Sequence, residues 1–290
     1  MIQAQAHSLR IAISIDDPNT GKAPLLLWDN RNENILASLN KYKLQAALFV
    51  CGKRIDSEDG QTLIKRWDEE GHLICNHSYS HIYFNSDKVT LETYKIDFLK
   101  CDTLIKNYSH YTKLFRYPFL KEGNTIEKRD GFREVLSAYS YKNGYVSVDA
   151  SDWYINDRMT EKLNTDPNSD LTPYRDYYLE HIYDRTIYYD KLAKKLTGRQ
   201  IDHVLLIHHS LLNSLFLDEL IKMFTDKGWI VINASEAYND KIYNELPDIL
   251  PAGESIVWAL AKQTGKYDNE LRYPGEDSEY EKDKMDKLGL

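Results

Sequence analysis

The segment that decides the fold is LRIAISIDD at residues 9–17, an aliphatic run that ends in two aspartates. A short run of this kind predicts a buried β-strand. In parallel α/β folds the side chains at the carboxyl ends of the strands converge on one face, and ligands bind there. We therefore expect Asp16 and Asp17 to lie at a functional site, although Pro18 and Asn19 also suit a simple turn.

Short apolar runs recur along the chain and alternate with longer stretches that have helical periodicity, which predicts an α/β fold built on parallel strands. The seven predicted strands are residues 9–15, 45–50, 72–75, 114–116, 145–148, 203–207 and 229–232. The predicted helices that fill most gaps are residues 34–42, 62–70, 90–108, 131–139 and 217–227. Gly71, Gly144 and Gly228 each follow a helical stretch, where a helix C-cap is expected.

Two segments do not fit this alternation. Residues 154–200 separate the fifth and sixth strands by far more than an ordinary crossover, so we predict an insertion there, with a long helix over residues 174–196. Residues 266–290 are rich in charge and poor in apolar side chains, which predicts an extended tail over the surface or a flexible end.

The composition argues against two classes of partner. Thirty-seven Lys and Arg against 45 Asp and Glu give a net charge of −8, so the positive field that captures phosphate backbones is missing and no nucleic-acid partner is expected. The longest aliphatic runs fall far short of the roughly 18 residues of a membrane-spanning helix, so no membrane span is predicted. No feature of the sequence indicates a protein partner.

The amino terminus carries a pattern typical of exported proteins. Ala4, Gln5 and Ala6 have the small-X-small pattern of a signal-peptidase cleavage site. This pattern predicts a periplasmic or extracellular protein whose signal has been removed. The frayed terminus of a protein that is not exported is the alternative.

Histidines follow the third predicted strand at a spacing that suits a metal ion. If a helix starts after Asn76, His77 and His81 lie on one of its faces, because they are four residues apart. Two histidines and one carboxylate leave an open position on a tetrahedral zinc ion, which is the arrangement of a catalytic site. Asp17 is the natural third ligand, and strand alternation turns Asp16 to the other side.

When the polar residues at all five of these strand ends are taken together, the chain resembles the polysaccharide deacetylases, carbohydrate esterase family four. Members of this family share five motifs in a fixed order. The corresponding stretches here are SIDD at residues 14–17, HSYSH at 77–81, RYPF at 116–119, DASDW at 149–153 and LLIH at 205–208. The resemblance implies a distorted (β/α) barrel of about seven parallel strands. Because motifs from Asp16 to His208 must meet at one metal, it also implies a single catalytic domain over residues 1–290.

The resemblance implies a role for each polar motif residue. Asp17, His77 and His81 would hold one divalent metal ion, most often zinc, with cobalt, nickel or manganese as alternatives. The other residues would carry out the proton chemistry: Asp16 as the base on a metal-bound water, Arg116 holding Asp16 and lowering its pKa, His208 as the acid, and Asp152 orienting His208.

The substrate contacts implied by the resemblance are less specific. A backbone N–H at Phe119, where the family usually has Tyr, would stabilise the oxyanion, and Trp153 and Leu205 would wall the acetate pocket. Each of these three side chains would be unremarkable as an ordinary core residue. His209 has no predicted role.

The predicted function is the removal of N-acetyl groups from a polysaccharide, such as chitin, peptidoglycan or an exopolysaccharide, by hydrolysis of a linear amide. The alternatives are hydrolysis of a small-molecule amide on the same fold and non-catalytic carbohydrate binding. The insertion follows Trp153 directly, so it is expected to shape substrate access. Its tyrosines, at positions 174, 177, 178, 183, 188 and 189, either form a sugar platform or pack the insertion helix onto the barrel.

Overall fold

The first aliphatic run forms the most heavily paired strand of the protein. The structure is a computed structural model and describes residues 8–272 and 278–290. In strand β1, every residue from Ile11 to Asp16 is buried. The strands are β1 (Arg10–Asp16), β2 (Ala47–Val50), β3 (Leu73–Asn76), β4 (Tyr111–Phe115), β5 (Lys121–Gly123), β6 (Lys142–Asn143), β7 (Asp202–His208), β8 (Ile230–Ile232) and β9 (Ala252–Gly253).

Seven of these strands form one parallel sheet in the order β6-β4-β3-β2-β1-β7, with β8 also paired to β1. Strand β1 pairs along its whole length with β7, and it pairs with β8 near its start and with β2 near its end. Three partners around one strand curl the sheet. Strands β5 and β9 form a separate antiparallel pair.

The curled sheet approaches closure through the segment predicted as the fifth strand. Residues 145–148 do not form a regular strand, because the N–H groups of both Ser147 and Val148 donate to the single carbonyl of Val204. Val148 nevertheless bridges Leu205 of β7, and the preceding β6 pairs with β4. The predicted fold class, a distorted (β/α) barrel with about seven parallel strands, is confirmed, while the fifth strand is an irregular connection.

Four of the five predicted helices begin four to six residues earlier along the chain than predicted, while the helix predicted from residue 90 begins at Leu91. Ser57, Thr90, Thr125 and Ser210 each accept a hydrogen bond from a backbone N–H three residues later. The helices are α1 (Trp28–Lys41), α2 (Gly52–Ile55), α3 (Glu58–Glu69), α4 (Leu91–Ile105), α5 (Ile126–Ala138), α6 (Asp152–Thr165), α7 (Thr172–Thr197), α8 (Leu211–Asp226), α9 (Ala234–Ala237), α10 (Ile256–Thr264) and α11 (Ser278–Leu288).

Two of the three predicted C-cap glycines have the left-handed backbone of that position, namely Gly71 with φ 84° and Gly228 with φ 81°. The prediction for Gly144 is wrong. After α5 the left-handed residue is Ser140, with φ 60°. Gly144 is required by close packing instead, because a Cβ there would lie 2.4 Å from the ring of Phe49.

The insertion between the predicted fifth and sixth strands consists of α6, a short polar loop and α7. Of the six tyrosines considered as a sugar platform, four are buried, and the other two pack against the same core from partly buried positions. The buried ones are Tyr174, Tyr177, Tyr178 and Tyr189. The structure therefore favours the packing role of these tyrosines over a sugar platform.

The charged carboxyl-terminal segment contains a docked helix, so the expectation of an extended or flexible tail does not hold for residues 278–290. Helix α11 buries Glu281 and Met285, which are four residues apart and share one face, and Leu290 is buried just beyond it. The charged residues between them face solvent. Residues 273–277 of the tail, like the Ala4-Gln5-Ala6 pattern, lie outside the described residues. Within the described part of the chain, no helix has the length and apolar character to span a membrane.

Candidate active site

A fully buried arginine lies where the carboxyl ends of the parallel strands meet. Arg116 follows β4, and its Nη1 donates to Asp16 Oδ1. Its Nε donates to the carbonyl of Gly144 at 2.9 Å, and its Nη2 donates to Ser14 Oγ at 2.9 Å and to Tyr238 Oη at 3.0 Å. The guanidinium thus connects β1 to Gly144, just before the irregular connection, and to Tyr238 at the end of α9. It also holds one oxygen of Asp16 in place, and this contact was predicted.

The pKa of Asp16 is shifted in the direction opposite to the prediction. Burial of the carboxyl group raises its pKa, and this effect exceeds the lowering caused by the charges of Arg116 and His208. The prediction considered the ion pair and overlooked the cost of removing the carboxylate from water. A raised pKa makes Asp16 a better proton acceptor than an exposed aspartate.

Three potential metal ligands meet beside Asp16. Suitable ligand atoms of Asp17, His77 and His81 all lie within 4.8 Å of one another. His81 Nε2 is 3.5 Å from Asp17 Oδ2, and His77 Nε2 is 3.7 Å from Asp16 Oδ2, so neither pair is joined by a short hydrogen bond. The predicted ligand set is therefore brought together by the fold.

A turn over residues 77–81 positions His77 and His81. The expectation of a helix that starts after Asn76 is wrong, because these residues are not helical. Ser78 and His81 have positive φ angles of 63° and 55°. Asn76 Oδ1 accepts from the N–H of Ser78 at 2.8 Å, and Asp97 Oδ2 accepts from the N–H groups of Tyr79 and Ser80 at 2.9 and 3.0 Å. Local side-chain bonds of this kind compete with helix formation and stabilise the strained turn.

The chemistry of the three residues fits a divalent metal ion. His77 Nδ1 lies 2.8 Å from the carbonyl of Arg116, so Nδ1 carries the proton of the ring. The lone pair of Nε2 is then free to bind a metal ion. Burial lowers the pKa of His77 to about 3 and also lowers that of His81, which keeps both imidazoles neutral at pH 7. Neutral imidazoles and a carboxylate are the ligands that zinc and similar metals prefer.

Asp17 has a further neighbour that the sequence did not indicate. The backbone of Asp17 is left-handed, with φ 61°, which turns it away from the strand direction. Its Oδ1 is buried and receives no hydrogen bond from the described residues, but Arg54 Nε forms an ion pair with it at 3.1 Å. Arg54 belongs to α2, the short helix after β2. One carboxylate oxygen of Asp17 therefore faces His81, and the other faces the guanidinium of Arg54.

A second polar pair stands at the end of the neighbouring strand. His208 Nδ1 lies 2.8 Å from Asp152 Oδ1, and the N–H of His208 donates to Asp152 Oδ2 at 2.8 Å. Asn213 of α8 also donates to Asp152 Oδ2, at 2.7 Å, and accepts from the hydroxyl of Tyr178. The predicted pair of Asp152 and His208 is present, and Asn213 and Tyr178 are supports that no sequence motif indicated.

The environment of His208 keeps it protonated near neutral pH. Burial alone would lower its pKa, but the charge and hydrogen bond of Asp152, helped by Asp16 and Asp17, raise the pKa to about 9. The side chain is 27% exposed, so it can reach a bound molecule. Since His208 is the direct partner of Asp16 in the pairing of β1 with β7, one proton acceptor and one proton donor stand side by side.

The three residues predicted to contact substrate have different environments. Phe119 is 53% exposed, has φ 57°, and its ring centroid lies 4.5 Å from that of His81. Trp153 is 36% exposed. Leu205 is fully buried, and strand alternation places Leu206, rather than Leu205, on the face of His208. This argues against Leu205 as a pocket wall, while the roles of Phe119 and Trp153 stay predictions.

His209 lies beneath the site. It is 2% exposed, and burial lowers its pKa to about 3, so its imidazole is neutral. Its Nε2 lies 3.3 Å from Asn32 Oδ1. Its carbonyl accepts from Asn19 Nδ2, which also donates to the carbonyl of Asp17. His209 therefore helps to anchor the loop after Asp17.

Solved structures with the same fold belong to one class of enzyme scaffold. A peptidoglycan deacetylase, PdaC, from Bacillus subtilis superposes with a TM-score of 0.51 at 24% identity, over 80% of this chain and 90% of that one. A family four carbohydrate esterase pseudoenzyme from Bacillus anthracis superposes with a TM-score of 0.56 at 15% identity, over 80% of this chain and 66% of that one. The fold is the deformed β/α barrel of the family four carbohydrate esterases.

Sequence comparison leads to the family. The polysaccharide deacetylase family profile matches residues 5–140. A peptidoglycan-N-acetylmuramic acid deacetylase, PdaA, from Bacillus subtilis is 31% identical over 160 residues, which are 50% of this chain and 54% of the relative. A peptidoglycan-N-acetylglucosamine deacetylase from Bacillus cereus is 29% identical over 123 residues, 41% of this chain and 40% of the relative. The chain is thus similar to the polysaccharide deacetylase family over nearly half of its length, and it spans about half the length of these curated relatives.

Removing a ligand should abolish metal binding, whereas removing the acid should not. We expect His77→Ala and Asp17→Ala to weaken the binding of Zn²⁺ at least about 100-fold, because each removes one of three protein ligands. His208→Ala should bind the metal with nearly unchanged affinity. Isothermal titration of the metal-free proteins with Zn²⁺ measures this, and equal affinities in all three variants would contradict the assigned ligand set.

The His208 pair predicts the pH dependence of turnover. His208 must be protonated to donate, so kcat should fall as the pH rises through about 9, the pKa of its imidazole. Asp152→Asn removes the charge that raises this pKa, so the falling limb should move down by about two pH units. Profiles of kcat from about pH 6 to 10 test this, with the exposed Asp176→Asn as the control. A limb that Asp152→Asn leaves in place would exclude His208 as the acid.

Proposed function

We propose that this protein is a metal-dependent hydrolase that removes N-acetyl groups from an acetylated polysaccharide. The observation that carries the proposal is the convergence of three potential metal ligands, a buried aspartate held by Arg116 and a histidine held by Asp152 at one end of the barrel. The reaction breaks the linear amide bond between an acetyl group and a sugar nitrogen, and water is the second substrate. Acetate and a free amine are the products.

The nucleophilic half of the reaction belongs to Asp16 and the ligand set. Asp17, His77 and His81 would hold a divalent metal ion, which when bound would supply Lewis acidity to lower the pKa of a nearby water to about 7 and to polarise the amide carbonyl. Asp16 accepts the proton of the attacking water through Oδ2, since Arg116 holds Oδ1. The raised pKa of Asp16 suits it to this transfer.

The leaving-group half belongs to His208. An amine leaves an amide only after its nitrogen is protonated, and His208 holds its proton through neutral pH. Asp152 orients the ring through its contact with Nδ1, so Nε2 is the atom that donates. A backbone N–H at Phe119 is proposed to stabilise the oxyanion.

The preferred substrate is a glycan of the peptidoglycan type, because both named curated relatives act on peptidoglycan by their names. The exposed rings of Phe119 and Trp153 beside the site also suit a long saccharide, since flat rings stack on sugar faces. A polymer of the cell wall requires a protein that reaches it, so export to the periplasm or cell surface is part of the proposal.

Retention of the reactive groups supports catalysis over binding alone. One structural neighbour is a pseudoenzyme, so the fold by itself does not imply activity. In this chain the residues proposed as base, acid and metal ligands are all retained and lie beside suitable partners. A binding protein needs none of these proton-transfer groups.

Acetate release from four polymers, with and without a chelator, tests the proposal. We expect wild-type protein loaded with Zn²⁺ to release acetate from peptidoglycan. Acetate release from chitin oligomers, poly-N-acetylglucosamine and acetylxylan, measured in the same way, defines the range of its substrates. Chelation should abolish release, and His208→Ala should reduce it by about 100- to 10,000-fold. Metal-loaded protein that is silent on all four polymers would overturn the polysaccharide proposal, and turnover of small acetamides would then favour the small-amide alternative.

A further inference from the structure

Helix α7 contributes a tyrosine and a histidine to the surroundings of the acid pair, which consists of Asp152 and His208. Tyr178 donates to Asn213, which in turn donates to Asp152 Oδ2 at 2.7 Å. His181, one turn further along α7, accepts through Nε2 from the N–H of Ser151 at 3.0 Å. The insertion helix therefore reaches Asp152 indirectly by two routes, through the side chain of Asn213 and through the backbone of Ser151.

Ser151 is the point at which the backbone delivers Asp152 to the site. It is the N-cap of α6, and its carbonyl accepts from the N–H groups of Tyr154 and Ile155 at 3.1 and 3.2 Å. Its own N–H is held by His181. Both backbone polar groups of Ser151 are thus fixed, and Asp152 follows as the first residue of the helix.

Helix α11 completes this arrangement. Glu281 Oε2 lies 3.3 Å from His181 Nδ1 and accepts from the hydroxyl of Tyr177 at 2.6 Å. Glu281 and His181 are 4% and 3% exposed. Because Nε2 of His181 accepts from Ser151, the proton of the neutral ring must be on Nδ1, where the carboxylate of Glu281 faces it.

From these contacts we propose that His181, oriented by Glu281 of the carboxyl-terminal helix, is a positioning residue for the Asp152–His208 acid pair. Glu281 selects the tautomer of His181 that accepts a hydrogen bond at Nε2. That ring then fixes Ser151, and Ser151 fixes Asp152 against His208. The role in catalysis rests on the proposed deacetylase function, whereas the effect on His208 does not.

Loss of Glu281 has a defined physical consequence. Without the carboxylate, only the N–H of Ser151 still favours the Nδ1-protonated tautomer, so the other tautomer gains population, and it would point an N–H at the N–H of Ser151. The two donors repel each other, so the start of α6 shifts and Asp152 moves away from His208. Asp16, Asp17 and Asp157 also lie near His208, but these groups are unchanged in such a variant.

The test is the pKa of His208, measured by NMR titration of histidine-labelled protein, with the resonance assigned by its loss in His208→Asn. We expect His181→Ala and Glu281→Ala to lower this pKa by at least about one pH unit, because Asp152 supplies the charge that raises it. Glu281→Gln retains an acceptor oxygen for Nδ1 and should keep the wild-type pKa. In turnover assays the two alanine variants should lose about 10- to 100-fold in kcat with little change in KM.

His72→Ala is the matched control for loss of a buried histidine. His72 is 1% exposed, and its Nδ1 accepts from the N–H of Ala46 at 3.0 Å, far along the chain from the acid pair. It should leave the pKa of His208 unchanged, even though it removes a comparable hydrogen bond. If His181→Ala does not fold, Tyr177→Phe and Glu281→Ala provide the comparison from the α11 side.

The outcomes separate the two proposals. The positioning role would be overturned, whatever the activity, if the pKa of His208 in Glu281→Ala and His181→Ala were the same as in the control His72→Ala. A lowered pKa in these variants, with wild-type protein inactive on every glycan, would support the positioning role and reject the deacetylase function.

Discussion

The rest of the site depends on the buried ion pair between Arg116 and Asp16. A guanidinium without exposure to water must satisfy its donors inside the protein, and here it does so with groups from β1, from the irregular connection before residue 145 and from Tyr238. The ring of Phe49 lies 3.7 Å beneath it. Removing one member of a buried pair leaves an uncompensated charge, which typically costs about 3–5 kcal/mol. The barrel top and the proposed base are therefore fixed by the same contacts.

The same arginine also connects the two halves of the proposed chemistry. Its carbonyl faces Nδ1 of His77 and so sets the ring nitrogen that is free to bind a metal. Its side chain leaves one oxygen of Asp16 available beside that position. On the other side of Asp16, β7 brings His208 level with it, and helices from the insertion and the carboxyl terminus support the acid pair. The ligands come from loops with strained backbone, whereas the acid pair is supported by packed helices.

The sequence predicted the barrel and the polar residues of the site, because strand ends in a parallel sheet must converge. It could not predict how the residues are held. The turn at His77 to His81 depends on Asp97, whose position on α4 has no sequence signal that links it to the histidines. The direction of the Asp16 pKa depends on how deeply the carboxylate is buried, which no motif reports. The burial of Leu205, which lies on the opposite face of its strand from His208, likewise depends on the orientation of the strand, which the motif does not report.

The tail was misjudged for a related physical reason. Among its described side chains helix α11 buries Glu281 and Met285, with Leu290 buried just beyond it, so its sequence looks too polar to dock. It docks because its buried carboxylate is compensated by a histidine and a tyrosine that are about one hundred residues away in sequence. Such compensation is visible only in three dimensions. The proposed support of the acid pair is a structural role for the insertion that the expectation of a role in substrate access did not include.

The most direct test of this account replaces Asp16 by asparagine and measures bound Zn²⁺ and acetate release on the same sample. The account predicts that Asp16→Asn still binds one zinc ion through Asp17, His77 and His81 but releases no acetate from peptidoglycan under conditions in which the wild-type protein does. Acetate release at the wild-type rate by the zinc-loaded variant would contradict the assignment of Asp16 as the base, and with it the central role of the Arg116 pair.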